Sequence, residues 1–244
     1  MPDELQKKIL ELADKLETAA PDQLIQEAQV QLGKGSMALA SSLGAEDQVL
    51  THVLTNNFFG LKIFTIDTGR LHPETIDLMA QTEAAYSFSY EVLRPSSLLV
   101  EEMTAAHGKD LFYNSVELRK ECCRVRKVVP LRSKLATLKA WITGLRRDQA
   151  VTRKEVRKVE WDEENGLVKI NPLADWSEAM VWEYIRKHQV PYNALHDQGY
   201  PSIGCAPCTR AVKPGEDIRS GRWWWESPQH KECGLHPSKR KTGK

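Results

Sequence analysis

The chain has 244 residues, with 34 Lys and Arg against 33 Asp and Glu for a formal charge of +1. That balance argues against a general nucleic-acid binder, which carries a clear basic excess. Hydrophobic residues at 41% and charged residues at 27% are ordinary for a soluble protein with a real core. No apolar run approaches the roughly 18 residues of a transmembrane helix. Met1-Pro-Asp-Glu opens acidic with no apolar stretch behind it, so a secretory leader is not expected either. The expected setting is the cytoplasm, where clustered Cys bind metal or do chemistry more often than they form disulfides.

From Asp3 to about Leu32 the apolar positions Leu5, Ile9, Leu12 and Leu16 recur at helical spacing, and Pro21 breaks the stretch into two amphipathic helices. The period then changes. Met37 to Leu43 reads as a buried strand, Glu46 to about Thr55 as a helix, and Leu61 to Ile66 as a second strand ending in Asp67-Thr-Gly69. A helix from Pro73 to about Ala84 precedes a strand from Tyr86 to Leu93, and Pro95 opens a helix to about Ala106. Glu117 to about Leu138 reads as helix interrupted at Pro130, Trp141 to Leu145 as a fourth strand, and Val168 to Leu173 as a short fifth. Ser177 to about His188 is a helix with Ser177 or Asp175 near its cap. Strand–helix alternation of this kind predicts an α/β fold, a Rossmann-like parallel sheet with flanking helices and right-handed crossovers. The expected organisation is N-terminal helices over 1–35, a nucleotide-binding α/β domain over 36–227, and a flexible, basic tail over 228–244.

In open parallel sheets ligands bind beyond the carboxyl ends of the strands. Ser41-Ser42-Leu43-Gly44-Ala45-Glu46-Asp47 is a small hydroxyl-bearing turn leading into a helix, where backbone N–H groups and the helix dipole suit a phosphate or sulfate. It lacks the Gly-Lys-Ser/Thr ending of a Walker A loop, and a tight turn with no ligand reads equally well. Asp67 and Thr68 are candidates for nucleotide contact, with an ordinary turn as the alternative. Arg146 and Arg147 offer planar forks to oxyanions, as do Arg219 and Arg222 farther on, against the reading of a solvated basic turn. Arg222 opens onto Trp223-Trp224-Trp225, three residues that are not all expected in a core.

The five cysteines divide unequally. Cys205-x-x-Cys208 is a common ligand pair of zinc and iron–sulfur sites. Cys122 and Cys123 are adjacent, and on a helix neighbours point about 100° apart. A distorted helix, or a cluster with several metal corners, accommodates them better than one tetrahedral zinc, which favours a [4Fe-4S] cluster. The alternative is that some of these Cys are small buried side chains. Lys127 stands four residues after Cys123 on the same helical face. Its ammonium is placed to serve thiolates and an anionic substrate, unless it is a plain surface Lys. Cys233, flanked by His230, Lys231 and His236, has neighbours that favour the nucleophilic thiolate; an idle thiol or a fifth ligand is the competing reading.

Several stretches together resemble a known family. They are the Cys122-Cys123 pair, Leu195-His-Asp-Gln-Gly-Tyr-Pro-Ser-Ile-Gly-Cys-Ala-Pro-Cys208, Arg219-Ser-Gly-Arg-Trp-Trp-Trp225 and Glu232-Cys-Gly-Leu-His236. From about Ser36 to His236 the chain resembles the sulfonucleotide reductases, and among them the assimilatory adenylyl-sulfate reductases. The resemblance implies an adenine nucleotide α-hydrolase-like fold and reduction of adenosine 5'-phosphosulfate to sulfite and AMP. It also implies a thioredoxin or glutaredoxin as reductant, a four-iron, four-sulfur cluster and a homo-oligomer. By position it makes Cys122, Cys123, Cys205 and Cys208 the ligands and Cys233 the nucleophile, which would carry an S-sulfocysteine. It gives the nucleotide's phosphate to the turn Ser41, Ser42, Gly44, Glu46 and Asp47, and the phosphosulfate to Lys127, Arg146, Arg147, Arg219 and Arg222. Relatives using the 3'-phosphorylated nucleotide generally lack the cluster Cys, so their presence favours the 5'-phosphosulfate, with a preference for the 3'-phosphorylated form as the alternative. An ATP-pyrophosphatase-type thiolation enzyme on the same fold is disfavoured, because Ser42-Leu-Gly-Ala-Glu-Asp47 lacks a fuller Ser-Gly-Gly-x-Asp-Ser loop. A zinc-held nucleotide-binding module without catalysis predicts a dispensable Cys233.

Overall fold

The apolar run after Gly35 forms strand β1 (Met37–Ser41), buried along nearly its whole length, as a strand covered on both faces must be. The further strands are β2 (Lys62–Ile66), β3 (Glu91–Leu93), β4 (Ala140–Ile142), β5 (Val159–Asp162) and β6 (Leu167–Ile170). They form one sheet in the order β3-β2-β1-β4-β6-β5. β1 pairs in parallel with β2 and with β4, and β4 with β6; only β5 is shown running antiparallel, against β6. The structure is a computed structural model that describes residues 11–33, 35–57, 60–150 and 153–227. The chain divides into two compact units. One comprises the described residues within Met1–Thr65, Asp77–Val92 and Ser133–Asn193; the other comprises those within Ile66–Ile76, Leu93–Arg132 and Ala194–Lys244.

The first unit holds the sheet and its core. Around the strands lie α1 (Pro21–Leu32), α2 (Ala45–Asn57), most of α3 (Pro73–Tyr86) and α7 (Glu178–His188). Pro21 stands at the first turn of α1, where its missing N–H costs nothing. Residues 11–16 are helical as expected, and the earlier part of that expected helix lies outside the described residues. Ser177 is the N-cap of α7, its hydroxyl accepting from the Met180 N–H at 3.2 Å. The strands are shorter than expected. α3 runs on to Tyr86, so β3 is confined to Glu91–Leu93. The edge strand β5 was not foreseen, because its run Val159-Glu-Trp-Asp162 is charge-rich. The signal was there in the alternation of Val159 and Trp161 and in the Asn165-Gly166 turn, where Gly166 adopts φ 68° and donates to the Asp162 carbonyl at 2.7 Å.

β1 and β4 are neighbours at the point where strand order reverses, so the turns leaving them lie at the switch point of the sheet. The same region is held by a buried polar knot. Gln48, fully buried on α2, donates to the Thr82 hydroxyl at 2.7 Å and to the Pro191 carbonyl at 2.9 Å, and accepts from the Tyr90 hydroxyl at 3.2 Å.

The second unit packs a smaller core: Met103, Leu111, Phe112, Val125 and Trp223 around four cysteines. It contains α4 (Ser97–His107) and α5 (Val116–Cys123), whose N-cap Ser115 accepts from the Leu118 N–H at 3.1 Å. α5 runs into a π-helical turn over Arg124–Val128 and then into α6 (Val129–Leu135). The interruption expected at Pro130 thus falls just ahead of it. An α-turn there would drive the proline ring into the carbonyl of Arg126, four residues back. The chain opens instead, and Val129 N–H donates to the Arg124 carbonyl, five back.

Replacing Gln48 with Leu should cost about 3 kcal/mol, because buried Thr82 and Tyr90 and the half-buried Pro191 carbonyl lose their hydrogen bonds while volume is kept. The check is the urea midpoint at constant m-value; a variant within about 0.5 kcal/mol of the parent would show that the knot contributes nothing net.

Candidate active site

In the first unit, β1 delivers the chain into a strained turn. Leu43 has φ 62°, a left-handed conformation uncommon for a branched residue. The Leu43 N–H donates to Ser41 Oγ at 3.2 Å. The Ser42 N–H and Oγ both donate to Asp47 Oδ2, at 2.7 and 2.6 Å. Gly44 precedes α2 and accepts from the Gln48 N–H at 2.9 Å. Across the switch point, a Cβ at Gly144 would stand 2.4 Å from Asp47 Oδ1 and 2.8 Å from the Glu46 Cβ, so the turn after β4 needs glycine to let α2 approach. Glu46 Oε1 accepts from Arg146 Nε and from Gln149 Nε2, each at 2.9 Å, and Arg146 also reaches the Trp176 carbonyl at 3.3 Å. Arg147 donates to Glu17 and, at 2.8 Å, to the Val156 carbonyl. The structure therefore gathers Ser41, Ser42, Gly44, Glu46, Asp47 and Arg146 into one place. Arg147 is engaged with Glu17 on the N-terminal side of the unit.

Two carboxylates in a turn expected to hold a phosphate need offsetting. Glu46 is offset by Arg146. Asp47 accepts two hydrogen bonds from Ser42, and burial pushes its carboxyl from 3.8 up to about 6, the Ser42 hydrogen bonds working against burial and Glu46 with it. A carboxyl raised in the folded state binds more protons there than when unfolded. It therefore contributes stability below its unfolded value and loses that contribution as pH rises through the folded one.

The second unit holds the thiols. Cys122 and Cys123 end α5, while Cys205 caps and Cys208 ends the short helical turn Ala206–Cys208. All four are buried and none is in a disulfide. They line one cavity together with Arg70, Phe112, Arg119, Arg126, Lys127 and Trp223. Thr68 Oγ1 lies 3.3 Å from Cys205 Sγ, the Arg70 carbonyl accepts from the Ala206 N–H at 2.8 Å, and Arg126 Nη1 donates to the Thr68 carbonyl at 2.8 Å. Asp67 holds its own turn, accepting from the Gly69 N–H at 2.9 Å and from Arg94 Nε at 3.3 Å. Burial acts to raise the Cys205 thiol, but Lys127, the Thr68 hydroxyl and Arg222 outweigh it and leave Cys205 below its ordinary value. Burial, with Cys205 adding, pushes Cys208 up to about 12. Cys122 is raised by burial, against Arg126.

Arg222 is buried, its Nη1 3.4 Å from both Ser202 Oγ and the Ile203 carbonyl, and its guanidinium carbon 4.7 Å from the Trp223 ring centre. Arg219 is half-exposed, its backbone N–H donating to Asp217 at 2.8 Å. The tryptophans divide: Trp223 is core at 1% exposure, Trp225 packs against that core, and Trp224 is 39% exposed. Cys233 lies outside the described residues. Sequence reasoning missed Arg119 and Arg126, although each stands four residues from a cysteine, as Lys127 does.

The thiol cavity fits a [4Fe-4S] cluster in donor chemistry: four soft sulfurs from two chain stretches, buried, with Arg126, Lys127 and Arg119 beside them to offset thiolate charge. Among the described residues no three His, Cys, Asp or Glu side chains converge to hold one metal ion.

Asp47→Asn should raise stability at about pH 7.5 by roughly 1–3 kcal/mol, the cost of holding that carboxylate ionised, and the gain should vanish near pH 4. Thermal unfolding at both pH values reads this; a gain independent of pH would assign it to something other than the buried charge.

Residues 36–211 match the family described as Phosphoadenosine phosphosulfate reductase domain. The chain is 56% identical over 201 residues to the adenosine 5'-phosphosulfate reductase of Allochromatium vinosum, covering 82% of this chain and 78% of that protein. It is 50% identical over 226 residues to the adenosine 5'-phosphosulfate reductase of Burkholderia cepacia, covering 93% and 89%. Among solved structures, the phosphoadenylyl-sulfate (PAPS) reductase of Candida auris in a phosphate complex aligns with a TM-score of 0.72 at 28% identity, over 85% of this chain and 97% of that one. The FMN adenylyltransferase of Candida glabrata, at 17% identity and a TM-score of 0.55 over 85% of this chain and 69% of that one, shares the fold. With its family match spanning the sheet and the cysteine site, the chain belongs to the sulfonucleotide reductases, in the adenosine 5'-phosphosulfate reductase branch.

Proposed function

We propose that this oxidoreductase reduces adenosine 5'-phosphosulfate to sulfite and AMP, using a thioredoxin or glutaredoxin dithiol, in the cytoplasm. The observation that carries the reading is the meeting of Cys122, Cys123, Cys205 and Cys208 in one buried, cation-lined cavity. Close relatives are named for the 5'-phosphosulfate. Among the described residues no helix is long and apolar enough to cross a membrane.

The proposed roles divide by unit. In the first, the β1–α2 turn from Ser41 to Asp47 receives the nucleotide's phosphate at the positive end of α2, while Arg146, buried against Glu46, and Arg147, paired with Glu17 in this structure, are assigned to the phosphosulfate. In the second, Asp67 and Thr68 are assigned to the nucleotide. Lys127, Arg219 and Arg222 are assigned to the phosphosulfate, stabilising charge on the departing phosphate. Cys122, Cys123, Cys205 and Cys208 would hold a [4Fe-4S] cluster, which when bound supplies a polarising buried charge next to Lys127. The electrons come from thiols. Cys233 thiolate attacks the substrate sulfur, the bond from that sulfur to the phosphate oxygen breaks, and AMP leaves with the electron pair. Cys233 then carries an S-sulfonate. A dithiol thiolate attacks the Cys233 sulfur and releases sulfite. The partner's second thiol resolves the mixed disulfide, so Cys233 returns as a thiol and the partner leaves oxidised.

A second reading, reduction of the 3'-phosphorylated nucleotide, is favoured by the fold match to the Candida auris PAPS reductase. Sulfite release with reduced thioredoxin and each nucleotide separates the two. The 5'-phosphosulfate should win by at least about tenfold in kcat/KM, a gap of roughly 1.4 kcal/mol; a preference for the 3'-phosphorylated form overturns the substrate assignment. The same preparation should hold roughly four iron and four sulfide per chain, and zinc in their place overturns the cofactor.

Cys233→Ser should keep nucleotide binding and the iron content while losing sulfite release by about a thousandfold or more, the scale of removing a covalent nucleophile. Mass spectrometry after one addition of substrate should find the sulfonate on Cys233 of the parent and nowhere on the variant. A sulfonate on the variant reassigns the nucleophile.

A further inference from the structure

Arg119 and Glu226 form a buried ion pair that the proposed reaction does not use. Their side chains are 0% and 3% exposed. Arg119 Nε donates to Glu226 Oε1 at 2.9 Å and Nη2 to Oε2 at 2.7 Å, a fork-to-fork arrangement that fixes direction as well as distance. The guanidinium carbon lies 4.5 Å from the Trp223 ring centre, and the side chain also hydrogen-bonds Cys123, four residues on along α5 and on the same face.

Trp223 is the joint between these contacts. It is buried, has φ 40° and donates its backbone N–H to the Cys208 carbonyl at 3.1 Å. A left-handed tryptophan persists only where its surroundings over-determine it. The Glu226 N–H closes the segment onto the Trp223 carbonyl at 2.8 Å. Beyond Glu226 the chain continues for seven residues to Cys233.

We propose that Arg119 is a positioning residue: paired with Glu226, it locks the segment Trp223 to Glu226, the root of the Cys233 stretch, against Cys123 and the Cys208 carbonyl. The consequence for Cys123 as a cluster ligand rests on the proposed function; the locking of the segment does not. An ammonium cannot replace the guanidinium, because it offers no planar fork and no flat face to the indole.

Three variants of the full chain test this by hydrogen exchange over residues 223–227 and by the reduction midpoint of the protein as isolated. Glu226→Gln keeps the shape and removes the negative partner. Arg119→Lys keeps the charge and loses the fork. The double variant Arg119→Met with Glu226→Leu removes both charges, a change that buried pairs often tolerate, so a folded protein remains even if a single change unfolds it. All three should speed exchange over 223–227 at least about tenfold relative to the sheet strands. Glu226→Gln should shift the midpoint upward, since the positive charge beside Cys123 is then less offset. Unchanged exchange, or equal acceleration across the whole chain, overturns the locking role. Faster local exchange with an unmoved midpoint in iron-loaded protein overturns the link to Cys123. If the parent contains no iron and sulfide, the cluster reading fails by itself, and the exchange data still decide whether Arg119 positions the segment.

Discussion

Burying sulfur among cations is the constraint that shapes the second unit. Consecutive helical side chains diverge by about 100°, yet Cys122 and Cys123 line the same cavity. They do so where α5 gives way to a π-helical turn, a feature that recurs at functional sites. Pro130 makes that widening the low-energy course of the chain, so a residue eight positions from Cys122 bears on how the thiols are presented. The cations follow the same geometry. Arg119 precedes Cys123 by four residues, Arg126 follows Cys122 by four and Lys127 follows Cys123 by four, so each sits one turn from a thiol.

The switch-point turn of the first unit solves an opposite electrostatic problem. It carries acids where an anion is expected. Arg146 and Gln149 answer Glu46, and Asp47 is answered by two donors from Ser42 and by a raised affinity for its proton. With Glu46 paired to Arg146, the helix end and backbone amides are left to favour an anion. The cost sits in Asp47, whose burial disfavours its charged form.

Sheet, helices and crossovers were legible because the apolar period switches from 3.6 to 2 at Met37 and back at Glu46, and again around Leu61 and Pro73. Strand ends were less so: the apolar run from Trp141 to Leu145 continues past the last ladder partner at Ile142, and pairing, unlike apolarity, is decided by the neighbouring strand. β5 was faint for the same reason: its pairing with β6 outweighs a charge-rich composition, and only the alternation of Val159 and Trp161 and the Asn165-Gly166 turn signalled it. Among site residues, the pairing of the four cysteines in sequence anticipated that they would come together in one cavity. Arg119 and Glu226 were not, because a contact between positions 107 apart in the chain leaves no local pattern. The arginines at 146 and 147 looked alike in sequence; only their partners, Glu46 for one and Glu17 for the other, tell them apart.

The charge balance in the thiol cavity bears on what it is built to contain. Thiols as buried as Cys122 and Cys208 hold their protons, the latter up to about 12. Arg126 and Lys127 bring positive charge to the same cavity. Metal coordination changes the sum, since ligating sulfur is deprotonated outright and its negative charge then matches the cations already in place. The depression of Cys205, driven by Lys127, Thr68 and Arg222 against burial, runs in the same direction: positive charge and a hydroxyl donor favour its thiolate. Lys127 is thereby given two duties in the proposed chemistry, offsetting the sulfurs and attracting an anionic substrate. The same ammonium serves both because each depends on a positive charge at the cavity wall.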